Sequence, residues 1–284
     1  MSPKAQLAKA DRSHLARKTV SQTIPTVLKA SARARAGLQS TQLLRDEDIH
    51  SSVSSSGTVP RPPIIRVIAQ DTLQAAHDLL TSSSAKSGDR IAVLSMASEL
   101  RPGGGFLSGA NSQEESLCMR TTLYASLHEH FYRLPELGCV YTPDACVFRG
   151  RYGSAAGATV TDINPPTAWW FVNIISCAAV RGPDVDENDR YVNPGQRDLM
   201  REKIKRVLRV ARMKGCRRLV LGAFGCGAFG NPSGEVAELF KRVLLGRGRK
   251  DDEFAGCFDE VVFAIKGGKQ ATFERFHAVL QTLG

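Results

Sequence analysis

Two adjacent carboxylates, Glu114 and Glu115, follow three successive glycines, Gly103 to Gly105, in the stretch RPGGGFLSGANSQEESLCMR from Arg101 to Arg120. Glycine lets the backbone take positive φ and approach a ligand with no Cβ in the way, at an entropic cost that calls for a reason. Ser112 can cap the helix that follows, and Glu115 three positions on can reach back to it. The pair therefore sits where a glycine loop meets a helix N-terminus. A capping box after a flexible loop explains this stretch without any chemistry. Carboxylates beside an open backbone are equally what acid–base work on a bound ligand needs.

A second glycine loop shifts that balance. GAFGCGAFG holds four glycines in nine residues, and Gly225-Cys226-Gly227-Ala228-Phe229-Gly230 fits G-x-G-x-x-G between a predicted strand and a helix whose start is marked by Asn231 and Pro232. A nicotinamide site would need further βα units, yet only one strand and one helix remain, and the acidic run Asp251 to Glu253 precedes the next strand rather than ending it. The physics of the loop survives that exclusion. Backbone N–H groups beside a helix start form a cradle for a diphosphate, without any lysine. A tight strand-to-helix turn needs fewer glycines than these.

The three glycines, the short spacer and Gln113-Glu114-Glu115, continued by TTLYASL and YTPDACVFR, resemble the signature of the microbial-type poly(ADP-ribose) glycohydrolases, which are built on a macrodomain. The resemblance runs from about Ile64 to the C-terminus. It implies hydrolysis of the ribose–ribose O-glycosidic bonds of poly(ADP-ribose), releasing ADP-ribose, in reversal of ADP-ribosylation and in the DNA damage response. ADP-ribosylated proteins would be the substrates. Such a bond breaks through an oxocarbenium-like transition state, and ordinary glycosidases flank the sugar with carboxylates at least roughly 5 Å apart. Neighbours on one helix turn cannot do that, so one residue must serve both proton transfers.

By resemblance Glu115 protonates the leaving ribose oxygen and then deprotonates water, Glu114 holds ribose hydroxyls and Gln113 orients the turn. Gly103, Gly104 and Gly105 contact the substrate, as do Gly225, Cys226, Gly227, Ala228 and Gly230 around the diphosphate, and Phe229 packs against the ribose that carries the scissile bond. A helix N-terminus favours the charged carboxylate, so the acid form must be promoted by substrate diphosphate and by exclusion of water. No metal and no cofactor is required. The competing function is a reader that binds ADP-ribose without cleaving it. Relatives commonly read LNFAS and Asn-Pro around the glycines; here Ser95 and Met96 stand in LSMAS, and Arg101 precedes Pro102.

Elements that alternate along the chain must position these residues. Strands are expected at Ile64–Ala69, Ile91–Leu94, Trp169–Cys177, Arg217–Ala223 and Asp259–Ile265, with two short ones at Val140–Thr142 and Cys146–Arg149 around Pro143-Asp144. Helices are expected over 71–80, 113–132, 193–214, 232–245 and 269–280. The helix over 113–132 would carry His128 and His130 on different faces, unlike a metal-binding pair. The order predicts a three-layer α/β/α macrodomain with a mixed, mainly parallel sheet, over residues 63–284. Residues 1–62 read as a basic extension, with a helix in RSHLARKTVSQTIPTVLKA and a Ser/Pro-rich linker from Ser51 to Pro63.

Composition excludes several alternatives. The net charge of +10 is concentrated in residues 1–45, which hold nine Lys or Arg against one acid, so no basic groove for nucleic acid is expected. No apolar run spans a bilayer, and the N-terminus lacks a secretory apolar segment. An intracellular protein, cytoplasmic or nuclear, is expected. Organelle targeting by the Arg-, Ser- and Ala-rich N-terminus is the alternative. Seven cysteines without a Cys-x-x-Cys pair point to reduced thiols rather than disulfides or structural zinc.

Overall fold

Short apolar runs separated by amphipathic stretches fold into alternating strands and helices in the computed structural model, which describes residues 7–49, 61–82, 88–150, 163–246, 253–266 and 270–281. The chain begins with helices α1 (Lys9–Lys18), α2 (Ile24–Ala30) and α3 (Ala32–Gln39), then strands β1 (Gln42–Leu44) and β2 (Ile64–Ile68). Helix α4 (Thr72–Thr81), strand β3 (Ile91–Met96), helices α5 (Gln113–Arg120) and α6 (Leu123–Ser126), and strands β4 (Cys139–Val147) and β5 (Trp170–Cys177) follow. The chain continues with α7 (Pro194–Met213), β6 (Arg218–Leu221), α8 (Ser233–Leu245), β7 (Glu260–Ala264) and α9 (Gln270–Leu280). The strands take the order β1-β4-β5-β3-β6-β7-β2. Strands β3, β6, β7 and β2 are successive parallel neighbours, with Ile91 opposite Arg218, Arg218 opposite Glu260, and Ile64 opposite Glu260. This is the mainly parallel α/β sheet that the alternation predicts.

The chain divides into two compact units, one made of residues 1–43, 97–134 and 140–174, the other of 44–96, 135–139 and 175–284. In the second, β6 is buried throughout and β3 everywhere but its last residue, as apolar strands covered on both sides must be. Asp71 caps α4 by accepting from Leu73 N and Gln74 N. Asn193 caps α7, which has Pro194 at its first position. Phe240, Phe263 and Phe276 form its aromatic core, with ring centroids 5.1 and 5.8 Å apart in succession. In the first unit, Ile24, Val27 and Ala34 of α2 and α3 are buried against Cys146 and Phe148.

Three local expectations are corrected. The helix expected over 113–132 ends at Arg120, because Thr121 turns extended and bridges Val147, while Thr122 N donates to Cys146 O at 3.1 Å. Two β-branched residues, poor helix formers, are thereby recruited into strand pairing. As a result His128 and His130 do not face apart on a helix; their rings stack with centroids 5.4 Å apart. The two strands expected around Pro143-Asp144 are one, β4. Asp144 takes φ +46 within it, and Arg33 Nε donates to its carboxylate at 2.9 Å. Helix α3, started by the Ser31 cap, and β1 were legible only as part of an extension. Residues 51–60 of the expected linker, and residues 151–157 after β4, lie outside the described residues.

Candidate active site

In the first unit the glycine loop folds back on the carboxylates at the head of α5. Gly105 N donates to Glu115 Oε1 at 2.9 Å, and Ser112 N donates to Glu115 Oε2 at 3.0 Å, joined there by the Ser112 hydroxyl. Glu115 thus closes a capping box and ties the loop to the helix with the same carboxylate. Gly104 has φ +57, and a Cβ on it would lie 2.9 Å from Glu114 Oε2 and 3.0 Å from Glu115 Oε1. Only glycine lets the chain pass this close to both acids.

Glu114 is differently placed. Ser98 N donates to its Oε2 at 2.9 Å, while Oε1 is buried with no partner among the described residues. The side chains are nearly inaccessible, Glu114 at 3% and Glu115 at 7% exposure. Burial pushes the Glu114 carboxyl up to about 8, with the charge of Glu115 adding to it and the Ser98 and Gly103 N–H groups offsetting part. Glu114 therefore carries a proton at neutral pH. A buried polar atom without a partner is costly, and a ligand hydroxyl would relieve it.

The surroundings of the pair include residues that sequence reasoning did not single out. Tyr132 OH is buried without a partner among the described residues, and burial, followed by the charge of Glu114, holds the phenol protonated. Its place at the end of a supposed helix concealed it. Cys118, one turn after the acids, is kept as a thiol by burial and then by the charges of Glu114 and Glu115. Tyr124 packs against Phe106 with ring centroids 5.1 Å apart and planes tilted by 50°, and it backs Gly103. Gln113 opens the helix and is half-buried. The Gly-Gly-Gly run, Gln113, Glu114 and Glu115 are therefore brought together.

The loop Gly225–Gly230 belongs to the second unit, between β6 and α8. Asn231 is its internal clasp: Nδ2 donates to Val180 O at 2.6 Å and to Gly225 O at 3.0 Å, and Oδ1 accepts from Tyr191 OH at 2.8 Å. At the tip, Gly227 and Ala228 are exposed. The N–H groups of Gly227, Ala228 and Phe229 donate to no acceptor among the described residues. They form a row of free donors just before a helix N-terminus, the arrangement that binds phosphate oxygens. The Phe229 ring lies beneath the Arg181 guanidinium at 5.4 Å, and its carbonyl accepts from Gly182 N. The Cys226 thiol is pushed up by burial and stays protonated. Asn231 stood in the sequence as a helix marker; its clasp with Tyr191, 40 residues away, has no local signature. Of the departures from the family pattern, Ser95 is fully buried and Met96 packs against Gly222 in the same unit.

Residues 12–150 match the family model for the microbial-type PARG catalytic domain. The chain is also similar to the crystal structure of poly(ADP-ribose) glycohydrolase from Thermomonospora curvata, at 30% identity and a TM-score of 0.75 over 95% of this chain and 99% of that one. The chain belongs to the microbial-type poly(ADP-ribose) glycohydrolase family. It is thereby a glycosidase. The Thermomonospora enzyme bound to the inhibitor ADP-HPD matches at 29% identity and TM-score 0.74, covering 95% of this chain and 99% of that one. The Deinococcus radiodurans glycohydrolase in complex with ADP-ribose matches at 28% and 0.68, covering 89% and 99%. A search of curated protein sequences finds no match. No described helix is long and apolar enough to cross a membrane.

Proposed function

We propose that this member of the glycohydrolase family cleaves the ribose–ribose O-glycosidic bonds of poly(ADP-ribose) and releases ADP-ribose, with Glu115 as the acid/base and Glu114 as the holder of ribose hydroxyls. The observation that carries it is the pair of nearly inaccessible acids at the head of α5, one tied to the glycine loop through Gly105 N at 2.9 Å, the other with a buried oxygen unpartnered among the described residues. As the bond between the anomeric carbon and the leaving oxygen breaks, that oxygen takes a proton from Glu115. Water then attacks the anomeric carbon and returns a proton to the same carboxylate. The donors Gly105 N, Ser112 N and the Ser112 hydroxyl hold the carboxylate in one orientation through both steps. Glu114 Oε1 is available to a ribose hydroxyl. The free N–H groups of Gly227, Ala228 and Phe229 suit a diphosphate, and Phe229 offers a ring face to a ribose.

A second assignment of the acid has one observation in its favour. Glu114, pushed up to about 8 by burial, holds a proton at neutral pH, which a general acid must do. Glu115→Gln and Glu114→Gln distinguish the two. With Glu115 as acid/base, Glu115→Gln loses chain degradation by on the order of 10³-fold while keeping its ADP-ribose affinity, and Glu114→Gln is affected mainly in KM. With Glu114 as the donor, Glu114→Gln is as inactive as Glu115→Gln and the alkaline limb of the wild-type pH profile near 8 disappears. Wild-type turnover no faster than that of Glu115→Gln would instead make the protein a reader of ADP-ribose.

A further inference from the structure

The donors that orient Glu115 belong to a loop, and a loop of glycines has no rigidity of its own. Within the first unit its shape is imposed by the first helix of the chain. Gly109 has φ +78, and a Cβ there would fall 2.1 Å from Lys9 O and 3.0 Å from Ser13 N, so the backbone of α1 is pressed directly onto the loop. Arg12 Nε donates to Gly109 O at 2.8 Å and Ser13 Oγ donates to Leu107 O at 2.7 Å. The peptide unit whose carbonyl Arg12 holds is the one whose N–H, on Ala110, donates to Gly105 O at 3.1 Å. Gly105 N in turn donates to Glu115 Oε1. Hydrogen bonds thus lead from Arg12 across the Gly109–Ala110 peptide to the carbonyl of Gly105, the residue whose N–H, in the preceding peptide, holds the carboxylate. Below α5 the same N-terminal segment makes a second anchor: Arg149 Nη1 donates both to Met119 O and to Thr19 Oγ1.

We propose that Arg12 and Ser13 of α1 are positioning residues for the glycosidase reaction, clamping the Leu107–Ala110 arc so that the N–H groups of Gly105 and Ser112 aim at the Glu115 carboxylate. The N-terminal helix then serves catalysis without touching substrate. This rests on the acid/base role given to Glu115 above. The strength of the clamp lies in its redundancy, two side-chain donors and one backbone contact on a single turn of loop.

The test compares Arg12→Ala/Ser13→Ala, Ser13→Ala alone and Arg12→Lys with wild type on poly(ADP-ribose). ADP-ribose affinity and hydrogen exchange of residues 105–112 are measured on each. A misplacement of about 1 Å costs on the order of 10²-fold, so the double variant loses kcat by about that factor with KM and ADP-ribose affinity little changed. Exchange at residues 105–112 rises while the rest of the protein keeps its protection. Arg12→Lys recovers part of kcat, because an ammonium can still donate to Gly109 O, and Ser13→Ala shows a smaller change of the same sign. Wild-type kcat in the double variant would overturn the proposal, as would a fall in kcat matched by an equal loss of ADP-ribose affinity. Should the wild type not degrade poly(ADP-ribose), the functional assignment fails on its own, and the exchange measurement still decides the clamp: unchanged protection at 105–112 refutes it.

Discussion

A Cβ at Gly104 would lie within 3.0 Å of both glutamates, whereas one at Gly227 would meet no atom within 4 Å. Both are the central glycine of a glycine-rich loop, yet the protein itself needs the first and makes no evident use of the second. Around Gly103–Gly105 the glycines serve internal packing: the loop closes on its own acids, and the chemistry is carried by the side chains it holds. Around Gly225–Gly230 only the base of the loop is crowded, where a Cβ on Gly225 would fall 2.5 Å from Ala179 Cβ and Asn231 Nδ2. The tip offers bare backbone to whatever binds. A glycine-rich motif can therefore mark a site in two ways, by shaping a cage for side chains or by leaving N–H groups uncovered.

The contrast is broken most directly at Gly104. Gly104→Ala forces a methyl against two carboxylates at a positive φ, and we expect a loss of roughly 1–3 kcal/mol in stability together with a fall in turnover on the order of 10²-fold from displaced acids. Gly227→Ala should leave stability within about 0.5 kcal/mol of wild type, as surface changes do, while weakening ADP-ribose binding by about tenfold if a phosphate approaches the bare backbone. Calorimetry of both variants checks the pair; equal destabilisation would erase the distinction.

Smaller effects sharpen it. Because burial raises the Glu114 carboxyl from its ordinary 4.5 to about 8, the unfolded chain gives up that proton first as pH rises. The stabilising contribution of the neutral form is complete below about 4.5 and is lost as pH rises through about 8. The denaturation midpoint of wild type should decline relative to Glu114→Gln across that window, and parallel profiles would count against a buried neutral acid. Tyr191→Phe removes one hydrogen bond from the Asn231 clasp and should cost about 1 kcal/mol, with a few-fold loss of ADP-ribose affinity and no change in the pH profile. Titration of ADP-ribose into that variant reads it.

Much of this was legible because it is local. A capping box depends on two side chains three residues apart, so Ser112 and Glu115 could be paired by spacing. The break after Arg120 was not legible, since the helical stripe through Leu117, Tyr124 and Phe131 continues across it, and only β4, arriving 25 residues later at Cys146 to pair with Thr121 and Thr122, stops the helix. Tyr132 was lost with it. The Asn231–Tyr191 clasp and the Arg12–Gly109 hydrogen bond join residues 40 and 97 positions apart, and no spacing rule reaches that far.

What the sequence determined alone is the chemistry on offer: two adjacent acids at a helix start, and two stretches where the backbone is freed of Cβ. Those follow from residue type and from the geometry of a single helix turn. Tertiary structure decided how the acids differ. Burial protonates Glu114 and leaves one of its oxygens unpartnered among the described residues, while Glu115 is enclosed by donors from a loop that the first helix holds in place. Desolvation and long-range clamping depend on everything that surrounds a residue, and that is set only when the chain has folded.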